Sequence, residues 1–117
     1  VMGYLQLGKC LSVNPSEFSD AFNFGPNPED NLTVEELVKL AIEQWGAGSY
    51  EVIDLATNPH EANLLMLDIS KVRFSINWHP TLSSSNALSL VVQWYKEYLN
   101  SRINIIEEQI NYFFTNG

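Results

Sequence analysis

One short stretch of this chain gathers side chains able to do polar recognition chemistry. Asn58-Pro59-His60-Glu61-Ala62-Asn63 places an imidazole, a carboxylate and two amides in one loop, just ahead of the apolar run Leu64–Leu67. A carboxylate in such a loop can accept two hydrogen bonds from a vicinal diol such as that of a ribose. The amides of Asn58 and Asn63, or the imidazole of His60, can donate to a phosphate. The plain alternative stays open: Glu61 caps a helix or is simply solvated, and His60 is a surface loop residue, because loops are commonly polar without being sites.

Other arrangements that would announce an enzyme are missing from these residues. Gly46-Ala47-Gly48 follows a helix pattern instead of a strand. A dinucleotide loop needs the opposite order, so that the pyrophosphate meets a helix N-terminus. His60-Glu61 is one adjacent pair, short of a metal ligand set. No serine stands in a strand–turn–helix elbow. No Tyr stands four residues before a Lys, the spacing that would put both on one helical turn. Catalytic residues, cofactor-binding residues and metal ligands are therefore not expected in this segment.

The elements that must hold the loop are legible from periodicity. Val1, Tyr4, Leu5, Gly8 and Leu11 recur at helical spacing, and Asn14-Pro15 closes that helix near Ser12. It opens at Val1 without a cap, which suggests a domain truncated at its N-terminus. Ala21–Phe24 reads as a short strand stopped by Gly25-Pro26-Asn27-Pro28. Thr33 and Glu36 form a capping box ahead of Val34, Leu37, Val38, Ala41, Ile42 and Trp45, and Gly46 ends that helix.

Tyr50–Leu55 alternates imperfectly as a second strand, and Leu64–Leu67 is a third strand or an extended buried segment. Asp68 offers an N-cap for a helix over Ile69–Ile76, with Asn77 at a left-handed C-terminus. Ser83, Ser84 and Ser85 offer caps for a helix to about Leu99. Its apolar residues fall on two faces, which predicts burial on both sides. A last helix runs from about Asn104 to Phe114. Five helices and two or three short strands give an α+β fold in a single domain over residues 1–117.

Composition narrows the partners. Hydrophobic residues make up 45% of the 117 and charged ones 17%, a globular balance. The net charge of -8, with six Lys and Arg and no basic run, excludes a nucleic-acid footprint and disfavours an anionic membrane surface. No apolar run is long enough to span a bilayer and no secretory signal is visible, so a cytoplasmic location is expected. The single cysteine, Cys10, lies among Leu7 and Leu11 and reads as a buried inert thiol.

The order of motifs carries a resemblance. Phe22-Asn23-Phe24-Gly25-Pro26 is followed by Thr33-Val34-x-x-Leu37-Val38, then Trp45-Gly46, then Pro59-His60-Glu61-Ala62. Leu67-Asp68-x-Ser70-Lys71, Trp78-x-Pro80 and Trp94-Tyr95 complete it. From about Gly3 to Tyr112 the chain resembles the distal part of an extended short-chain dehydrogenase/reductase of the NAD-dependent epimerase/dehydratase kind. Within that superfamily it is most similar to the CDP-glucose 4,6-dehydratases, on the strength of Asn-Phe-Gly-Pro and Pro-His-Glu-Ala. The helix, Asp-x-Ser-Lys and Trp-x-Pro parts are shared with GDP-mannose dehydratases and sugar epimerases.

That resemblance implies a small C-terminal substrate-binding domain, with the Rossmann domain of the same polypeptide absent from these residues. The parent enzyme would use NAD, would commonly be a homodimer, and would serve deoxysugar biosynthesis. Its sugar is oxidised at C4, loses water across C5 and C6, and is reduced again at C6. The resemblance assigns Glu61 to the ribose. Asn58 stands where relatives carry a phosphate-binding Arg, His60 is a substitute donor, and Asn63 borders the same site. The expected ligand is a sugar nucleotide, CDP-glucose first, and the segment alone is expected to be inert. The rival readings are another nucleotide-sugar dehydratase or 4-epimerase fragment and, from a different class, a stand-alone acidic interaction domain.

Overall fold

A computed structural model describes residues 1–53 and 66–116. Among the described residues six α-helices follow one another: α1 (Met2–Val13), α2 (Pro15–Phe18), α3 (Val34–Trp45), α4 (Ser70–Ile76), α5 (Ser84–Ser101) and α6 (Ile106–Asn116). A single 3-10 turn, Pro28–Asp30, lies between α2 and α3. The described residues contain no strand, so the expected α+β class is corrected to all-α for them. Ala21–Phe24 and residues 50–53 have strand-like composition but no neighbouring ladder. A strand exists only when its N–H and C=O groups meet a second one, and alternation alone does not supply that partner. Met66 and Leu67 lie outside any strand as well.

The helix count also rises. Asn14-Pro15 ends α1, as expected, but the same residues start α2. Proline suits the first helical position, where its missing N–H is not needed. The Asn14 amide donates to Glu17 Oε2 at 2.6 Å, and the Ser16 hydroxyl donates to Asn14 Oδ1 at 2.9 Å.

The chain divides into two compact units, Val1–Asn31 with Leu65–Thr81, and Leu32–Leu64 with Leu82–Gly117. In the first, α1 packs on α2 and α4. Ile69, Val72 and Ile76 form its core, and Val72 is fully enclosed. Cys10 is half-buried against this cluster, alongside Phe22, Phe24 and Trp78. Phe24 meets Tyr4 and Trp78 edge-on, each at 5.0 Å between ring centres. Gly3 makes that approach possible, because a Cβ there would run into the Phe24 ring and lie 3.1 Å from Trp78 Nε1. The Gln6 amide donates to the Ile76 carbonyl at the end of α4.

In the second unit α3 packs on α5. The capping box is formed: the Glu36 N–H donates to Thr33 Oγ1 at 3.2 Å, and the Thr33 N–H donates to Glu36 Oε2 at 2.8 Å. Gly46 ends α3 at φ 85°. The Lys96 ammonium donates to the Gln44 carbonyl at 2.9 Å and stands over the Trp45 ring, a cation at the negative end of a helix. Gln109 of α6 donates to the Leu90 carbonyl of α5 at 2.7 Å, and Ile105 is buried beside it. Trp94 stacks on Tyr98 with the rings 5° from parallel. The expected two-sided burial of α5 is only partial: Val92 is buried, while Val91, Tyr95 and Leu99 remain at least half exposed.

Candidate functional site

Asn58, His60, Glu61 and Asn63 all fall outside the described residues. The structure shows instead how the chain is held on either side of them.

On the approach, α3 ends at Gly46, and Gly48 takes φ 127° before Ser49 and Tyr50. The Tyr50 hydroxyl donates to Glu35 Oε1 at 2.8 Å. The same oxygen lies 2.9 Å from the Lys39 ammonium one helical turn along. Lys39 first, and Tyr50 second, hold the Glu35 carboxyl below its ordinary value, and Glu35 in turn raises Lys39. The approach is thereby tied to the exposed side of α3. A shallow hollow of about 360 Å³ lies there, lined by Lys39, Ile42, Glu43, Gly48, Ser49 and Tyr50.

On the exit, residues 66–71 lie alongside residues 20–25 and are joined to them through side chains. Lys71 Nζ sits 2.6 Å from Asp20 Oδ2, donates to the Ala21 carbonyl at 2.8 Å, and stands 4.7 Å from the centre of the Phe22 ring. The Asn23 amide donates to the Asp68 carbonyl at 3.3 Å. A Cβ on Gly25 would fall 3.3 Å from Leu67 Cβ and 3.5 Å from Ile69 Cγ2, so the glycine lets the two segments close up. Partners at 21 and 71, 23 and 68, and 25 and 67 follow an antiparallel order. Side chains make the ties that a backbone ladder would make in a sheet.

Asp68 occupies the position before the cap instead of the cap itself, which is Ile69. Its Oδ1 accepts the Ser70 N–H at 2.8 Å. The Ser70 hydroxyl and then its N–H hold the Asp68 carboxyl below its ordinary value. Asn77 takes the left-handed conformation at φ 53° and ψ 37°.

A second hollow of about 360 Å³ lies between α5 and α6, where Asn86, Ser89, Gln93 and Glu108 surround Leu90 and Ile105. Among the described residues no group of three His, Cys, Asp or Glu could hold a metal ion. Gly46 and Gly48 lie at the carbonyl end of α3, whereas a pyrophosphate is bound by the amide end of a helix. No helix among the described residues is long and apolar enough to cross a membrane.

No protein-family model matches the chain. Over 104 residues it is 34% identical to CDP-glucose 4,6-dehydratase of Salmonella typhimurium (strain LT2). The match takes in 89% of this chain and 29% of that protein, within its C-terminal region. This chain is similar to the C-terminal region of a CDP-glucose 4,6-dehydratase. It spans less than a third of the length of the curated relative it matches.

Against the CDP-glucose 4,6-dehydratase motifs, the structure places Asn23 and Phe24 in packing and tethering roles. Asn23 bonds Asp68, and Phe24 fills the space between Tyr4 and Trp78. Lys71 stands in the Asp-x-Ser-Lys motif and reads from sequence as part of a helix start. Its bond to Ala21 crosses 50 residues of chain, and no local pattern announces it.

Proposed function

We propose that these 117 residues are the sugar-nucleotide-binding C-terminal part of an NAD-dependent CDP-glucose 4,6-dehydratase, and that alone they are catalytically inert. The observation that carries this reading is the 34% identity, because it extends over 89% of the chain and is not confined to one motif. In this reading Glu61 accepts the ribose hydroxyls, and His60, Asn58 and Asn63 supply donors toward the pyrophosphate. An acidic chain of charge -8 repels a pyrophosphate at long range, so recognition depends on neutral donors set close to the phosphate oxygens. The amides of Asn58 and Asn63 suit that need.

Inertness follows from what these residues lack, namely a glycine loop opening a helix and a Tyr four residues before a Lys. NAD and the chemistry at C4, C5 and C6 belong to the rest of the parent enzyme, as does its dimerisation.

Calorimetric titration with CDP-glucose, dTDP-glucose, GDP-mannose and UDP-glucose tests the binding claim. CDP-glucose is expected to bind more tightly than the other three, and Glu61→Ala is expected to abolish the preference for ribose-bearing ligands. Tighter binding of another sugar nucleotide would transfer the reading to a different dehydratase or epimerase. Binding of none would favour the acidic interaction domain. Incubation with NAD and CDP-glucose is expected to yield no 4-keto-6-deoxy sugar, and its appearance would sink the inertness claim.

A further inference from the structure

We propose that residues 20–25 form a strap that lifts from the core of the first unit as one piece, with Lys71 as its clasp. The inference concerns Val1–Asn31 and Leu65–Thr81 alone and is independent of the sugar-nucleotide reading above.

Two separate pieces of chain cover the core of Ile69, Val72 and Ile76. Leu7 and Cys10 come from α1, and Phe22 and Phe24 come from the strap. A Cβ on Gly25 would fall 3.5 Å from Ile69 Cγ2, so the strap lies directly against that side chain, which is only 3% exposed. The first cover has its own hold on α4, through the Gln6 amide and the Ile76 carbonyl. The strap has no regular backing. Residues 21–25 belong to no helix or ladder, and the side chains of Asn23 and Lys71 make the hydrogen bonds that join them to residues 68–71. Segments without regular backbone hydrogen bonds open at low free energy while the rest of the fold stays intact.

Lys71 stands in the first turn of α4, where the partial positive charge of a helix disfavours a cation. Its place is therefore not explained by α4 itself. Its partners are three consecutive strap residues: the Asp20 carboxylate at 2.6 Å, the Ala21 carbonyl at 2.8 Å and the Phe22 ring at 4.7 Å from its centre. Withdrawing one side chain releases all three. The Lys39–Glu35 pair, by contrast, joins two residues of one helix. Asn23 supplies a weaker second tie, since its bond to the Asp68 carbonyl is 3.3 Å long. The clasp is about half exposed on both sides, so dissolved salt screens it. The apolar contacts of Phe22 and Phe24 are not screened. Opening bares Ile69 and turns both rings outward, an apolar face that the closed strap hides.

Native-state proteolysis of the whole chain tests the proposal. Chymotrypsin cuts after Phe22 and Phe24 are followed by mass spectrometry and normalised to a free peptide of residues 18–28. These cuts are expected to outpace the cut after Leu7 in α1 and to vary little with urea below the unfolding transition, the mark of a local opening. Lys71→Met is expected to speed them about fivefold, the loss of one tie of ordinary strength, and to leave the Leu7 cut unchanged. Raising sodium chloride to about 1 M, where screening acts within ~3 Å, is expected to speed the same cuts in the wild-type chain but not in Lys71→Met. Asp20→Asn is expected to reproduce both effects, and Lys71→Arg to stay near the wild-type rate.

Cuts after Phe22 and Phe24 that follow global unfolding in urea would overturn the proposal. So would a rate indifferent to Lys71→Met and Asp20→Asn, or an equal acceleration after Leu7. A salt response that persists in both variants would remove the ion pair as the clasp and overturn it likewise.

Discussion

The Asp20 carboxylate and the Lys71 ammonium approach to 2.6 Å while each side chain remains about half exposed. The hydrogen bond from Lys71, then the Ala21 N–H, holds the Asp20 carboxyl below its ordinary value near 3.8. A group depressed on folding stabilises the fold above its unfolded value and loses that contribution as the pH falls through its folded value. Carbon-detected NMR titration should therefore place the Asp20 midpoint below 3.8, and Lys71→Met should move it upward. A midpoint indifferent to that substitution would remove the ion pair from solution.

Thr33 and Glu36 satisfy each other's backbone N–H groups at the start of α3. Thr33→Ala should destabilise the chain by about 1 kcal/mol, the usual cost of losing an N-cap. Thr33→Ser should recover most of it. Urea denaturation at neutral pH checks both. The Glu36 carboxyl, lowered by the Thr33 N–H and hydroxyl, should titrate higher in the alanine variant.

Asn77 sits at φ 53° at the end of α4. A side chain pays a steric cost there that glycine avoids. Asn77→Val should destabilise the chain by roughly 1 kcal/mol or more and lower the thermal midpoint, whereas Asn77→Gly should leave the midpoint level or raise it slightly, because asparagine already tolerates this region. Equal midpoints for all three would mean that the turn relaxes away from the left-handed region.

Gly3 faces the Phe24 ring and the Trp78 indole. Gly3→Ala forces a methyl into an already closed contact, and overpacking of this kind costs about 1–3 kcal/mol. The expected signature is lost near-ultraviolet dichroism from Trp78, with α3 and α5 unaffected. A stabilised variant would show that Phe24 can move aside freely.

These sites differ in how far the sequence reveals them. The capping box, the glycine stop and the left-handed asparagine are local devices, and the residues that make them lie within a turn of one another. They are legible without coordinates. The expected strands at 21–24 and 50–55 rest on alternation, which describes one side of a pairing and leaves the other side unspecified. Segment 20–25 finds its partner through Lys71, Asn23 and Gly25, across about as much chain as separates α1 from α4. No period in the sequence encodes that tie. Likewise, the Tyr50–Glu35 bond that holds the approach to the loop joins residues on different elements. The chemistry of Asn58-Pro59-His60-Glu61 is visible as residue types, while these residues fall outside the described ones.

The apolar residues Val91, Tyr95 and Leu99 recur every four positions along α5 and stay at least half exposed. Exposed apolar stripes of this kind favour association. Sedimentation velocity should show species larger than a monomer as concentration rises, and Tyr95→Glu should shift the distribution back. Monomeric behaviour of both chains at every concentration would mean that the stripe is too small to drive assembly.

Among the described residues, only Ile69, Val72, Ile76, Val92 and Ile105 are buried apolar side chains. The heat capacity of unfolding tracks the apolar surface newly wetted. A chain with so few enclosed side chains should take up heat over a broad temperature range, with a small step in baseline across the transition. Its stability curve should be correspondingly flat, so that cooling weakens it little. A ligand or partner that encloses more apolar surface would then announce itself calorimetrically, by sharpening the endotherm and enlarging the baseline step together.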